Sequence, residues 1–239
     1  MPSSDTLYTD STTTPNCPAG SGPFRVVTDA GVSIHCPAPI TVSFSIISNP
    51  RHSPKQPSHL GPWPDFEGRY TFHIDSLVAN YADGAFIPVI KKALREWTCL
   101  TGIDWILAEG PDYTSLPEAE IDSLCIIRFG SLPPSQLAVT RYVHSSCAGR
   151  SYIVESDLII NDDPDLLWFI DTIPEHSVPS GHFDLYQTLL HELGHAHGMQ
   201  HVIEPERIMY FAEMPSGLPR NVELFADDFL YEGANWVMD

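Results

Sequence analysis

The run His191-Glu192-Leu193-Gly194-His195-Ala196-His197-Gly198-Met199-Gln200-His201 constrains this chain more than any other stretch. On a helix, His191 and His195 lie on one face, one turn apart. Gly198 can end that helix in a left-handed conformation, so that the chain folds back and brings His201 to the same point. Three imidazoles leave one position of a tetrahedral ion open, which is the arrangement of catalytic rather than structural zinc sites.

Glu192 follows the first of these histidines directly but points about 100° around the helix. It is therefore free to act as a base on a metal-bound water instead of binding the metal. His197 lies two residues beyond His195, on the wrong side for the same ion, so we expect a packed or surface histidine. The alternative interpretation is a core helix with incidental histidines, and the full spacing with Gly198 and His201 disfavours it.

A second feature, Ile208-Met209-Tyr210, follows at a short distance. Together the two features resemble the signature of the metzincin metalloproteases, and the spacing is most similar to the matrixin branch. The resemblance covers roughly residues 69–237 and is strongest at 184–210. It implies that Met209 forms a Met-turn beneath the metal, where it packs and takes no proton.

The fold class that the resemblance implies is α/β (α+β). We expect a twisted, mixed, mainly parallel sheet of five strands, an active-site helix, a second long helix, and a small C-terminal subdomain with the Met-turn and a terminal helix. The alternation and spacing of apolar residues predict the individual elements. Strands are predicted at 40–46, 70–74, 103–107, 125–129, 137–143, 152–154 and 157–161, and helices from Asp83 to about Trp97, from His182 or Phe183 to His197, and from Asn221 or Glu223 onward.

In matrixins an extended peptide pairs with the antiparallel edge strand beside the metal. We assign that strand to 152–161 and expect residues 145–156 to border the cleft. Ser156 and Tyr210 are candidate substrate contacts, and the loop 211–220 is expected to form a wall of the specificity pocket.

We divide the chain into an N-terminal extension, 1–68, and a catalytic domain, 69–239, with an upper subdomain to about 198 and a lower one over 199–239. The extension is either an inhibitory pro-segment or an added hairpin or flexible tail. Five prolines between 50 and 64 predict an irregular loop insertion there. Cys125 reads as a core thiol, a Cys17–Cys36 disulfide is plausible, and the pairing of Cys99 and Cys147 stays open.

Charge and hydropathy narrow the possible partners. The net charge of −19 argues against binding of nucleic acid. The sequence contains no run of about 18 apolar residues, so we expect no membrane span. The first residues lack the layout of a signal peptide, so either the protein is not secreted by that route or its signal has been removed. The resemblance favours the second alternative, a secreted protein whose signal is absent here. The acidic residues Asp157, Asp162, Asp163 and Asp165 form either a Ca²⁺ site or a solvated loop.

The function that the motif and the resemblance imply is a zinc-dependent endopeptidase. It would hold one Zn²⁺ through His191, His195 and His201, use Glu192 as general base, act on protein or peptide substrates, and be a monomer. Two alternatives remain. One is a non-catalytic binding protein of the metzincin fold, which would have no need of Glu192, and the other is a narrow-specificity processing protease or toxin.

Overall fold

The computed structural model describes residues 41–43, 60–62, 69–101, 103–108, 124–147, 150–199, 201–202, 205–210, 220 and 224. The strands in this part of the chain are β1 (Thr41–Ser43), β2 (Leu60–Pro62), β3 (Arg69–Ile74), β4 (Asp104–Leu107), β5 (Cys125–Gly130), β6 (Ala138–Cys147), β7 (Arg150–Asn161), β8 (Leu167–Phe169) and β9 (His182–Asp184). The helices are α1 (Ser76–Asn80), α2 (Phe86–Thr101) and α3 (Leu185–Ala196), and a 3₁₀ turn spans Tyr81–Gly84.

The main sheet confirms the expected mixed, mainly parallel five-stranded core. β4, β3, β5 and β7 run parallel in that order, and β6 pairs antiparallel with β7. The buried run Leu158-Ile159-Ile160 in β7 is apolar on both faces, as expected of a strand inside a parallel sheet. Two strands of three residues extend this core, since β1 pairs antiparallel with β6 and β2 pairs parallel with the start of β7.

The sheet order corrects the assignment of the antiparallel strand. β6 pairs antiparallel with β7, whereas β7 lies between β5 and β6 inside the sheet. The expectation that 152–161 is the edge strand was therefore wrong. β1 adds to the outer side of β6 at Tyr142–His144. The expectation of an irregular 50–64 segment was also wrong for Leu60–Pro62, because a proline-flanked extended backbone can join a sheet at its margin.

The buried faces of the helices agree with the predicted apolar pattern, whereas their first residues differ from the predicted ones. α2 buries the expected face, formed by Phe86, Ile90, Ala93, Leu94 and Trp97. It begins at Phe86 because Ala82 and Asp83 adopt positive φ angles of 47° and 57° within the preceding 3₁₀ turn. α3 begins at Leu185 because His182–Asp184 pairs with β8 as a strand. Apart from Leu224, the expected C-terminal helix lies outside the described residues, and so does the loop 211–219.

The core lies between the sheet and the two long helices, which also pack against each other. The indole Nε1 of Trp97 in α2 donates to the carbonyl of Leu190 in α3 at 3.1 Å, in a fully buried position. This hydrogen bond and the packing of the two helices hold α3 in place against β6 and β7. No helix in the described ranges is long and apolar enough to cross a bilayer.

Candidate metal centre

α3 carries two of the three candidate ligands on one face. The carboxylate of Asp184 caps its first turn by accepting from the backbone N–H groups of Tyr186 and Gln187 at 3.0 and 3.2 Å. Leu185, Leu189 and Leu193 are fully buried, as predicted for the opposite side of the helix. The apolar stripe therefore anchors α3 in the core and turns His191 and His195 away from it.

Gly198 ends α3 and reverses the chain. Its φ is +86°, which a residue with a Cβ adopts only at a cost. The N–H of Gly198 donates to the carbonyl of His195 at 2.8 Å, and the N–H of Met199 donates to that of Gly194 at 3.0 Å. These two bonds form a Schellman motif, and the reversal brings His201 back beside the helix.

The three Nε2 atoms of His191, His195 and His201 converge. They lie 3.0 Å apart between His191 and His201, 3.1 Å between His195 and His201, and 3.2 Å between His191 and His195. Three ligand atoms of a tetrahedral zinc, each about 2.0–2.1 Å from the ion, are separated by roughly 3.3 Å. Within the described residues this triad is the group of His, Cys, Asp or Glu whose ligand atoms meet closely enough to hold a metal.

The second ring nitrogens of the two helical ligands set the tautomer. Nδ1 of His191 lies 2.8 Å from the carbonyl of Ile208, and Nδ1 of His195 lies 2.8 Å from that of Met199. A carbonyl only accepts, so both Nδ1 atoms carry the hydrogen and both neutral Nε2 atoms present a lone pair. Lone pairs this close repel one another unless a cation lies among them, so the donor set fits zinc.

Burial keeps these imidazoles neutral. Burial, together with a smaller effect of the neighbouring histidines, lowers the pKa of His191 and of His195 to about 3. Burial also lowers the pKa of His201. Neutral imidazole is the form that binds a metal, so the ligands need not lose a proton first at neutral pH.

Glu192 is buried on the same helix and does not belong to the converging group. Burial raises the pKa of its carboxyl, while the nearby imidazole of His191 and hydrogen bonds from the hydroxyl and the backbone N–H of Thr140 act in the opposite direction. The Thr140 hydroxyl lies 2.7 Å from Oε2 of Glu192 and 2.8 Å from its backbone carbonyl. A raised pKa makes a carboxylate a stronger proton acceptor.

Met209 lies in the core against α3. It is fully buried, and a Cβ added at Gly194 would collide with its sulfur atom. Its carbonyl accepts from the N–H of Val202 at 2.9 Å, which ties the chain after His201 to the turn at Met209. The only side chain that leaves room for this packing at position 194 is that of glycine.

The structure separates the remaining candidates. Ser156 is fully buried, and its hydroxyl accepts from that of Tyr70 at 3.1 Å inside the sheet. That position corrects the expectation that Ser156 contacts substrate. Tyr210 is partly exposed directly after Met209. His197 is buried with its ring 4.6 Å from that of Trp97 and 4.1 Å from that of Trp105, so of the two expected alternatives it is the packed histidine.

The acidic residues within and after β7, which are Asp157, Asp162, Asp163 and Asp165, gain no support as a calcium site. They belong to no converging ligand group among the described residues. Asp157 accepts from the N–H of Ile126 at 3.1 Å, and Asp163 accepts from that of Asp165 at 3.0 Å. These carboxylates therefore stabilise a strand pair and a local turn.

Two side-chain contacts of α3 and its cap were not predicted from the sequence. The first is the contact of Thr140 with Glu192. In the second, Arg220 donates to both carboxylate oxygens of Asp184 at 2.5 and 2.7 Å, and to the carbonyls of Asp171 and Ile173. The two charged side chains are 1% and 2% exposed. An aspartate just before an apolar helical run is a readable cap signal, whereas nothing in the sequence points from Arg220 to a residue 36 positions earlier.

Two comparisons with known proteins bear on this centre. The family model described as Matrixin matches residues 63–231, which include β3 to β9, α3 and all three histidines. No curated protein matches the chain. Matrixins are zinc-dependent metalloproteases, in agreement with the histidine triad. The chain therefore belongs to the matrixin family of metzincin-type zinc metalloproteases.

Proposed function

We propose that the protein is a zinc-dependent endopeptidase in which His191, His195 and His201 hold the metal and Glu192 is the general base. The observation that carries the proposal is the convergence of three neutral Nε2 atoms within 3.0–3.2 Å beside a buried carboxylate on the same helix. A binding protein without catalysis would have no use for that carboxylate, whose burial is costly.

His191, His195 and His201 would hold a zinc ion that, when bound, would polarise the peptide carbonyl and lower the pKa of a water molecule from about 15.7 towards 7. The carboxylate of Glu192 accepts the proton of that water and passes it to the leaving amine. The raised pKa of Glu192 suits both transfers, because the group must first take and then release a proton. The carbonyls of Ile208 and Met199 hold the ligand rings in place during the reaction. We further assign the turn around Met209 as the Met-turn.

For the substrate we propose an extended peptide that pairs with β6. The side chain of Thr140 contacts Glu192, so the segment before Tyr142 lies next to the proton acceptor. β1 shows that β6 can accept a further antiparallel strand, since it does so at Tyr142–His144. A peptide added in the same way would have its main chain held beside the metal. Tyr210 and the loop 211–220 remain our candidates for the pocket that reads its side chains.

We propose that the enzyme acts outside the cell, as matrixins typically do. Cys99 is disulfide-bonded, which fits an oxidising compartment. Cys125 is a free, buried thiol, as its place in a core strand predicted. β1 and β2 come from the segment 1–68, which we continue to assign as an extension of the catalytic domain 69–239.

The test combines zinc analysis with cleavage of casein by the wild-type protein and by Glu192→Ala, His195→Ala and Glu175→Ala. Glu175 is an exposed carboxylate away from the triad and controls for the loss of a glutamate. Glu192→Ala should keep one zinc per chain and lose about 10²–10⁴-fold in kcat. His195→Ala should lose both zinc and cleavage, and Glu175→Ala should match wild type.

A chelator should abolish wild-type cleavage, and zinc should restore it. Cleavage by Glu192→Ala at the wild-type rate would refute the role of the carboxylate. Absence of bound zinc in the wild-type protein would refute the metal assignment itself.

A further inference from the structure

The contact between Thr140 and Glu192 is not explained by the packing of β6 alone. Thr140 is the third residue of β6, lies opposite Leu158 of β7, and is 2% exposed. Its hydroxyl oxygen is 2.7 Å from Oε2 of Glu192, which is within the range of a charge-assisted O–H···O⁻ bond. A polar side chain of a sheet strand therefore reaches a carboxylate on the helix that carries the metal ligands.

The geometry of the carboxylate is asymmetric. A hydroxyl has one hydrogen to donate. Besides Oε2, the backbone carbonyl of Glu192 also lies within reach of the Thr140 hydroxyl, at 2.8 Å. That carbonyl is inside α3, where the backbone N–H four residues later normally donates to it. The ionised carboxylate can only accept, and bonds to charged acceptors are the stronger ones. The hydrogen of Thr140 is thus directed to Oε2. The backbone N–H of Thr140 also donates to this carboxylate, so one residue holds it from two points and its remaining acceptor capacity is left for the proton-transfer role.

Thr140 is also well suited to hold a fixed position. Its branched Cβ restricts χ1, its backbone is fixed by pairing with β7, and its surroundings exclude water. Glu192 by contrast reaches its position through three rotatable bonds, so one firm contact at its end removes most of the alternatives. A displacement of about 1 Å in a reacting group costs on the order of 10²-fold in rate.

We propose that Thr140 is a positioning residue for Glu192: its hydroxyl holds Oε2 so that the other carboxylate oxygen faces the water to be activated. The inference rests on the proposed function, since it assigns a partner to the general base of that reaction. It also requires that the catalytic rate depend on the hydroxyl group of Thr140. A residue that only packed β6 against α3 would not need that hydroxyl.

The experiment compares wild type with Thr140→Val, Thr140→Ser, Thr188→Val and Glu192→Ala. Valine keeps the shape of threonine without the hydroxyl, and serine keeps the hydroxyl. Thr188→Val is the matched control, because the Thr188 hydroxyl is also buried and also bonds α3, to the carbonyl of Asp184 at 2.7 Å, without touching Glu192. Each zinc-loaded variant is assayed for zinc content, melting temperature, kcat and KM on one fluorogenic peptide that the wild-type enzyme cleaves.

We expect Thr140→Val to lose about 10–100-fold in kcat, with KM and zinc content within about twofold of wild type. Thr140→Ser and Thr188→Val should stay within about threefold in kcat. A kcat for Thr140→Val equal to that of Thr188→Val would overturn the inference, as would a Thr140→Ser enzyme as slow as Thr140→Val. Should Thr140→Val bind less than one zinc, Thr140→Ala replaces it, and the same comparison with Thr140→Ser decides.

Glu192→Ala separates this inference from the proposed function. If Glu192→Ala is inactive while Thr140→Val is fully active, only the role of Thr140 is refuted. If Glu192→Ala cleaves at the wild-type rate, the general-base assignment fails, and the inference about Thr140 fails with it.

Discussion

Gly194→Ala is a substitution for which two physical effects of opposite sign can be weighed. Gly194 lies inside α3, where alanine is favoured over glycine by about 1 kcal/mol through its higher helix propensity. A Cβ at this position would collide with Sδ of Met209 and would lie 3.1 Å from its Cε and 3.3 Å from Cζ2 of Trp97. Both neighbours are fully buried, so neither can move into solvent.

Overpacking of a buried site costs about 1–3 kcal/mol, and the collision with Sδ places this case at the upper end. We therefore expect a net loss of about 2 kcal/mol in the free energy of unfolding after the gain in helix propensity is subtracted. The shift should also reach the ligands, since the residue before Met209 provides the carbonyl that orients His191. Zinc affinity should fall together with stability.

The assay is urea unfolding of the metal-free protein, followed by zinc titration of the folded variant. Met209→Ala in the same background is the control, because it removes the atoms that the new Cβ meets. In a double-mutant cycle the cost of Gly194→Ala should then largely disappear. A Gly194→Ala protein more stable than wild type, or a cost unchanged by Met209→Ala, would refute the reasoning.

Further predictions concern the surroundings of the site. Arg220→Met should lower the free energy of unfolding by about 3–5 kcal/mol in urea titrations, because it leaves Asp184 buried without its cation, and a loss below about 1 kcal/mol would contradict this. Burial holds the pKa of His197 well below its ordinary value, so below pH 6.5 the unfolded state takes up a proton that the folded state does not. Between pH 6.5 and 5 this group should remove about 1.6 kcal/mol of stability, and His197→Phe should lack that part of the loss in denaturation of the metal-free protein at both pH values. Burial raises the pKa of Cys125 to about 12, so the folded protein at pH 8 should leave this thiol unalkylated by iodoacetamide in peptide mass spectrometry, and alkylation at the rate of the unfolded chain would contradict the structure.

The metal centre was predictable because its determinants are local. His191 and His195 share a helical face by spacing alone, and Gly198 signals the reversal that brings in His201. The whole set spans one helix and one turn, so no knowledge of strand order was needed. The buried faces of α2 and α3 followed from the same periodicity.

The neighbours of the centre depend on which strands lie side by side, and that order is set by long-range pairing. The pattern of residues 152–161 predicts a strand but does not indicate that β6 pairs with the side of this strand that faces away from β5. Ser156 was misplaced for this reason, since a strand inside the sheet turns both faces to the core. The contact of Thr140 with Glu192, 52 residues later, depends on the same order.

The partners of the two helical ligands have a consequence for how this centre tolerates change. His191 and His195 are oriented by the main-chain carbonyls of Ile208 and Met199, not by acidic side chains. Every amino acid supplies a carbonyl, so the tautomer control survives any exchange at these two positions that preserves the path of the backbone. Apolar substitutions that fit the core can therefore be made at these two buried positions without altering the chemistry of the ligands.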